Sequence, residues 1–311
     1  MAKLVKFMTD REPYQPPKEL VTHVTAICGE AGSAWLAGLK ETVSRLEKKW
    51  CVTTDSAFEK GEFNFVAPAY SDDLDAVLKI SPPYPALEIF AEADFLRNLD
   101  GKGAPRLLDI DHEARAILIE RVRPGITMDE LFKEEPFACV EPAISLLKSI
   151  LTPPPYPPAE VQLFYDWFYR FQRAKDTEFP RAYFDRACEI YERLFQDDDG
   201  TFYVHGDFHP GNVISRGRDE FVVIDPKGLV GHVAYDISVF LNNLHWWQKG
   251  KPNVREYLFA AAKKFGDAFG MDEREIREAA FAGMVIGAWW NFEDMPDLYD
   301  NEVVLADVWE V

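Results

Sequence analysis

At Val122-Arg-Pro-Gly125 the periodicity of this chain changes, and that change limits the folds open to it. Upstream, Phe63-Asn-Phe-Val-Ala-Pro-Ala-Tyr70 and Ala76-Val-Leu-Lys-Ile80 flank an Asp72-Asp73 turn, and Arg106-Leu-Leu-Asp-Ile110 and Ala116-Ile-Leu-Ile-Glu120 flank a turn at His112-Glu113. Short apolar runs bounded by turn residues predict paired strands, and Pro82-Pro83 ends the second because proline cannot donate to a ladder. Between the pairs, residues 86–99 carry Leu87, Phe90, Phe95, Leu96 and Leu99 at helical spacing, closed by Gly101 and Gly103. Ahead of them, Leu20, Val24 and Ile27, then Trp35, Leu36, Leu39, Val43 and Leu46, predict two helices parted by Gly29 and Gly32. Val122-Arg-Pro-Gly125 reads as a hinge. Beyond it, helical spacing governs 128–133, 140–151, 159–175, 181–195, 235–247, 253–270 and 273–292, and only 202–224 breaks into short apolar runs between polar loops. The class is α+β: a small antiparallel-sheet lobe over residues 1–121 and a larger, mainly helical lobe over 122–311. A cleft is expected at their junction, where ligand sites are common.

With 311 residues, 47% of them hydrophobic, the chain can bury a substantial core. Its 34 Lys and Arg against 53 Asp and Glu leave a net charge of −19. That balance disfavours nucleic acid and anionic membranes as partners and favours cationic or metal-bridged ligands. No apolar run reaches the roughly 20 residues that span a bilayer, and Met1-Ala-Lys-Leu-Val leads into a polar stretch containing proline. A cytoplasmic protein is expected. Cys28, Cys51, Cys139 and Cys188 stand far apart, so buried, reduced thiols are expected and not a zinc or disulfide framework. Thr152-Pro-Pro-Pro-Tyr-Pro-Pro158 reads either as a polyproline ligand or, more simply, as a stiff connection between helices.

The chemistry concentrates in Val204-His-Gly-Asp-Phe-His-Pro-Gly-Asn-Val-Ile214 and Phe221-Val-Val-Ile-Asp-Pro-Lys-Gly228. Asp207 and Asn212 share a loop with Pro210 and Gly211, and Asp225 ends a short apolar run that can aim an acid with little freedom. Phosphoryl transfer needs a carboxylate near the attacking hydroxyl, a carboxylate and an amide oxygen on Mg²⁺, and a lysine on the nucleotide phosphates. Asp-x-x-x-x-Asn, a following strand ending in Asp, and Lys79 within an upstream strand match those parts. The next helix offers Glu88 and Glu92 on one face; Glu92 is the favoured ion-pair partner of Lys79.

His205-Gly-Asp-x-x-x-x-Asn212, Asp225-Pro-Lys-Gly228 with Ala234-Tyr-Asp236, and Ala76-Val-Leu-Lys-Ile-Ser-Pro82 resemble the motifs of the aminoglycoside phosphotransferase superfamily, in particular its aminoglycoside/hydroxyurea (streptomycin-type) kinase branch. They occur in order between about Asp55 and Asp236. The resemblance implies a protein-kinase-like two-lobe fold and an ATP- and Mg²⁺-dependent kinase acting on a hydroxyl of a small, aminoglycoside-like or other alcohol. It makes Asp207 the catalytic base, Asn212 and Asp225 the Mg²⁺ ligands, Lys79 the phosphate-binding lysine, Glu92 its partner and Asp236 a structural anchor. It also places adenine against the main-chain carbonyl of Glu120 and amide of Val122. The phosphate-covering loop, Asp55 to Phe65, has only Gly61, so Ser56 is the residue expected to serve there. From Asn291 to Val311 the chain is acidic, with no Lys or Arg, and a solvated tail is the default reading. The resemblance brings acceptors near this end, which makes Glu293 and Asp294 the candidate contacts for an amino sugar.

Two other readings stand beside this one. A kinase-like module could hold nucleotide or metabolite without transferring phosphate, a reading suggested by the glycine-poor loop. His205, Asp207 and His209 with Asp225 could form a hydrolytic metal site, although His205 serves more economically as a hydrogen-bonding prop. Trp246-Trp247 and Trp289-Trp290 are read as helix packing ahead of a cation box.

Overall fold

The computed structural model describes residues 15–59, 63–84, 88–153, 162–195, 201–248, 250–294 and 302–311, with backbone alone at 162–167 and 294. The chain divides into two compact units: one runs to Gly101 and adds Pro105–Arg121, and the other comprises Lys102–Ala104 and Val122–Val311.

In the first unit, α1 (Lys18–Trp50) is broken at Gly29, whose φ of 55° and ψ of −126° are not helical. Gly32 then sits so close to the preceding segment that an added Cβ would lie 2.4 Å from the Val24 carbonyl oxygen. Two helical pieces thus meet where the glycines stand, and only glycine leaves room for the second to start there. After them come β1 (Thr53–Thr54), β2 (Phe65–Tyr70), β3 (Asp75–Ile80), α2 (Glu88–Leu99), β4 (Leu107–Asp111) and β5 (Ala116–Glu120). The strands form one antiparallel sheet in the order β1-β2-β3-β5-β4. Leu20, Val24, Leu39, Val43 and Leu46 of α1 share a core with Phe65, Ala67, Leu78, Ile80 and Leu118 of the sheet. Each such buried aliphatic side chain contributes about 1.5–3 kcal/mol. Strand side chains alternate between faces, so Leu78 and Ile80 face that core and Lys79 faces the other side. Asp111 fastens α1 to β4: it accepts from Arg45 Nη1 (3.1 Å) and Lys49 Nζ (3.0 Å). Burial works to raise its carboxyl, but the Ala114 amide and these two cations hold it down at about 2.

The second unit runs β6 (Pro124–Thr127), α3 (Met128–Leu131), α4 (Val140–Ile150), β7 (Gln162–Leu163), α5 (Phe164–Phe171), α6 (Arg181–Leu194), β8 (Thr201–Val204), β9 (Val213–Arg216), β10 (Glu220–Val223), β11 (Leu229–His232), α7 (Ala234–Gln248), α8 (Val254–Phe269) and α9 (Glu273–Asp294). Two small sheets, β10-β9-β6 and β7-β11-β8, frame the segments that join them. Phe240, Phe265, Ile276, Ala280 and Val285 are among the core residues where α7, α8 and α9 pack. Trp289 is buried as helix packing requires, whereas Trp246 is half exposed.

Three expectations need correction. The supposed hinge contains a strand, β6, whose residues pair with β9; the partner lies some ninety positions downstream, out of reach of local pattern. The acidic C-terminus is not a solvated tail over its last residues. Glu302–Trp309 is a 3-10 helix that buries Val303, Ala306 and Trp309, and the Trp309 indole donates to Asn242 Oδ1 at 3.0 Å. Burial recurs at every third residue, while Asp307 is exposed and Glu302 partly so. Finally, of the four free cysteines only Cys139 is buried; Cys28 and Cys188 are partly buried, and Cys51 is exposed, in a left-handed conformation just past α1. Residues 154–160, which hold most of the proline-rich segment, lie outside the described residues.

Candidate active site

In the first unit, β3 presents Lys79 to α2, and Lys79 Nζ lies 2.6 Å from Glu92 Oε2. Both residues are only 4% exposed. Glu88, one turn earlier, is exposed at the helix start. Ser56 is half-buried in the chain between β1 and β2, where its amide donates to Asp55 Oδ1 at 2.7 Å. At the end of β5, the Glu120 amide donates to the Arg106 carbonyl (2.8 Å) and the Glu120 carboxylate accepts from the Arg106 amide (3.1 Å). Val122, the first residue of the second unit after β5, is buried.

In the second unit, Asp207 and Asn212 are brought together in the loop between β8 and β9. Asn212 Nδ2 donates to both the main-chain oxygen and Oδ2 of Asp207, each at 3.1 Å. The amide nitrogen is thereby turned to Asp207, and the oxygen at the other end is the atom left for a cation. Asp207 Oδ1 remains as the oxygen able to take a proton, 3.8 Å from His209 Nε2. His209 caps the 3-10 turn Pro210–Asn212, its Nδ1 accepting from the Gly211 amide at 3.1 Å. A side chain at Gly211 would collide with that ring, its Cβ 2.9 Å from His209 Cε1.

Asp225 follows β10, exposed, with φ of 58°. This left-handed conformation is uncommon for a residue with a Cβ, and the following Pro226 further favours extended backbone at this position. Such a conformation persists where its surroundings over-determine it. Here the determinant is His205. Its ring Nδ1 accepts from the Asp207 amide (3.1 Å), its Nε2 meets the Ile224 carbonyl (2.9 Å), and its own carbonyl accepts from the amides of Lys227 (2.7 Å) and Gly228 (3.3 Å). Asp236, in the first turn of α7, accepts the His205 and Gly206 amides on its two oxygens, each at 2.8 Å. One buried imidazole and one buried carboxylate therefore tie the Asp207 loop to the Asp225 loop.

Those bonds also settle the histidine's state. With Nδ1 an acceptor, Nε2 carries the hydrogen and donates to Ile224, so neither nitrogen is left for a metal and the hydrolytic reading loses a ligand. Burial pushes the imidazole down to about 3, against the Ile224 carbonyl, which favours the proton. Burial likewise raises Asp236 to about 7, although the Gly206 and His205 amides pull it the other way.

The two groups act on stability with opposite sign. A depressed histidine contributes stability present above its unfolded value of 6.5 and lost as the pH falls toward 3. A raised carboxyl contributes stability present below 3.8 and lost as the pH rises through about 7. Over the shared interval the slopes oppose each other. Asp236→Asn removes one of them, so its unfolding free energy should fall on acidification from pH 6.5 by about 1 kcal/mol per pH unit more than that of the wild type. Urea titrations at several pH values would show this; parallel pH dependences would refute it.

Glu293, near the end of α9, pairs with Arg173 at 3.0 Å. A cationic acceptor at Glu293 would share the carboxylate with that guanidinium. The Asp294 side chain lies outside the described residues. From sequence, His209 reads only as a metal ligand; its role as the cap of the Asp207 loop escapes notice, and the signal for it is a histidine two residues before a glycine.

The sheet that bears a buried Lys-Glu pair, and the helical unit with its Asp-Asn loop and strained Asp, define a protein-kinase-like fold. Solved structures show the same fold: choline kinase LicA from Streptococcus pneumoniae (TM-score 0.57, 12% identity, 87% of this chain and 99% of that one) and aminoglycoside phosphotransferase APH(4)-Ia (TM-score 0.58, 13% identity, 87% and 97%). Residues 49–295 match the family described as aminoglycoside/hydroxyurea antibiotic resistance kinase, and the chain belongs to that family. It is 27% identical to streptomycin 6-kinase of Streptomyces glaucescens over 292 residues, covering 89% of this chain and 91% of the relative. It is also 27% identical to hydroxyurea phosphotransferase of Kitasatospora aureofaciens over 301 residues, covering 94% and 85%. The protein is thus a small-molecule phosphotransferase with an alcohol-group acceptor. No helix among the described residues is long and apolar enough to cross a membrane.

Proposed function

We propose that this protein transfers the γ-phosphoryl group of ATP to a hydroxyl of an aminoglycoside-like or other small polar alcohol, in the cytoplasm and with Mg²⁺. The observation that carries this reading is the Asp207–Asn212 pairing, which holds one carboxylate oxygen and leaves the other to act as base. Asp207 Oδ1 orients the acceptor hydroxyl and takes its proton. Lys79 binds the nucleotide phosphates, its ammonium positioned by Glu92. Ser56 serves the same phosphates from the loop after β1, and the Glu120 carbonyl and Val122 amide take the adenine. Asn212 Oδ1 and an Asp225 carboxylate oxygen are hard donors of the kind Mg²⁺ accepts, few enough to leave room for phosphate oxygens and water. When bound, the ion offsets charge on the β- and γ-phosphates.

The acceptor is proposed to be cationic, on the net charge of −19 and on the names of the relatives, three of them streptomycin kinases. Glu293 and Asp294 are its proposed contacts. The test is Mg²⁺-dependent ADP formation with pooled aminocyclitols, amino sugars, choline-like alcohols and hydroxyurea. ADP formation that depends on an acceptor supports the proposal. ATP binding with no turnover on any acceptor would instead favour a nucleotide-holding module, the reading the glycine-poor loop suggests.

A further inference from the structure

The loop between β1 and β2 lacks the glycines that let a phosphate-covering loop wrap its ligand through the backbone. What it has instead is an outside support. At its entry, both the amide and the hydroxyl of Thr54 are held by Glu47 Oε1 of α1, at 2.8 and 2.6 Å. At its exit, the Phe63 ring, half exposed, stacks on His23 from the first piece of α1, with centroids 5.0 Å apart and planes 13° from parallel. Between these anchors, the Asp55 and Phe58 amides donate to the Pro68 and Val66 carbonyls of β2, each at 2.9 Å, and the Arg121 guanidinium lies 5.6 Å from the Phe58 ring centre. Almost all of α1, including Glu47 and His23, precedes residue 49, where the family match begins.

We propose that α1 is a brace for this loop, with His23 and Glu47 as positioning residues that set the affinity for the nucleotide's phosphates. The inference rests on the proposed role of the loop in nucleotide binding. A loop with a single glycine, Gly61, has few positions at which its backbone can fold onto a ligand at low steric cost; it must be held near the bound shape beforehand, so that less ordering remains when the ligand arrives. Gly29 gives the first piece of α1 the change of direction with which His23 meets Phe63, while the second piece supplies Glu47. Both act through the loop's described ends, Glu47 at Thr54 and His23 at Phe63.

The variants are His23→Ala, which removes the stack at a half-buried position, Glu47→Ala, which removes the entry anchor, and His23→Phe, which keeps a flat ring against Phe63. Calorimetry would give Kd for Mg-ATP and for adenosine, and hydrogen exchange would report the Asp55 and Phe58 amides in the same full-length proteins without nucleotide. Loss of one ring stack should weaken ATP about three- to tenfold, leave adenosine unchanged, speed exchange at the two amides, and be restored by His23→Phe. Equal weakening of ATP and adenosine would mean that the variants act through general stability, and would overturn the proposal. So would faster exchange with unchanged ATP affinity, which would leave the kinase assignment standing. A wild-type protein that binds no ATP would overturn the nucleotide reading and this one together, with the exchange data still reporting whether the helix holds the loop.

Discussion

Asp207→Asn should lower turnover about 10²–10⁴-fold, the usual contribution of a positioned general base, while leaving ATP affinity within a few-fold of the wild type. The substitution is close to isosteric. Asn212 Nδ2 can still donate to an oxygen at position 207 and to its main-chain carbonyl, so the loop keeps its shape, and the His205 contact to the residue's amide does not involve the side chain. What disappears is a basic oxygen at the Oδ1 position. Because phosphoryl transfer is achieved chiefly by positioning and electrostatics, the loss falls on kcat. Steady-state kinetics on an acceptor found by the screen, together with ATP calorimetry, would measure it; equal losses in kcat and ATP affinity would remove Asp207 from the role of base.

The second large effect is expected at the buried ion pair. Removing one member of such a pair leaves an uncompensated charge, which costs about 3–5 kcal/mol. Lys79→Met should therefore destabilise the protein by that order, since Glu92 is 4% exposed with its carboxylate 2.6 Å from the ammonium. Lys79→Met with Glu92→Leu should recover most of the loss, because two apolar groups can replace a buried pair at little cost. Stability and function should then part company: the double variant unfolds in urea near the wild-type midpoint yet binds Mg-ATP weakly. Wild-type ATP affinity in the double variant would show that Lys79 only props up the sheet.

Much of the site was legible in the chain because its signals are local. Lys79 is flanked by Leu78 and Ile80, and the period of two in a strand puts a lysine there on the face opposite those two. Periodicity put Glu88 and Glu92 on one helix face within reach of the same strand, and the structure pairs Glu92 with Lys79 at 2.6 Å while Glu88 is exposed at the helix start. Asp207 and Asn212 are five residues apart in one loop, so their approach needs no distant partner. The Trp309 packing and the strand in the expected hinge were not legible for the opposite reason. Each is stabilised by residues far away, Asn242 for the indole and β9 for Pro124–Thr127, and an acidic or proline-containing segment read alone gives no sign of them.

Periodicity, turn residues and the placement of a few polar groups between apolar runs determined the α+β class, the strand that carries the lysine and the loop that carries the acid and amide. All of these follow from preferences that act within about ten residues. Tertiary structure alone decided that the ring nitrogens and carbonyl of His205 would bond to two loops, that Asp236 would accept the His205 and Gly206 amides, and that α1 would contact both ends of a glycine-poor loop. Those contacts join residues up to forty positions apart, and a buried polar group takes whichever partner the packing of the rest delivers to it.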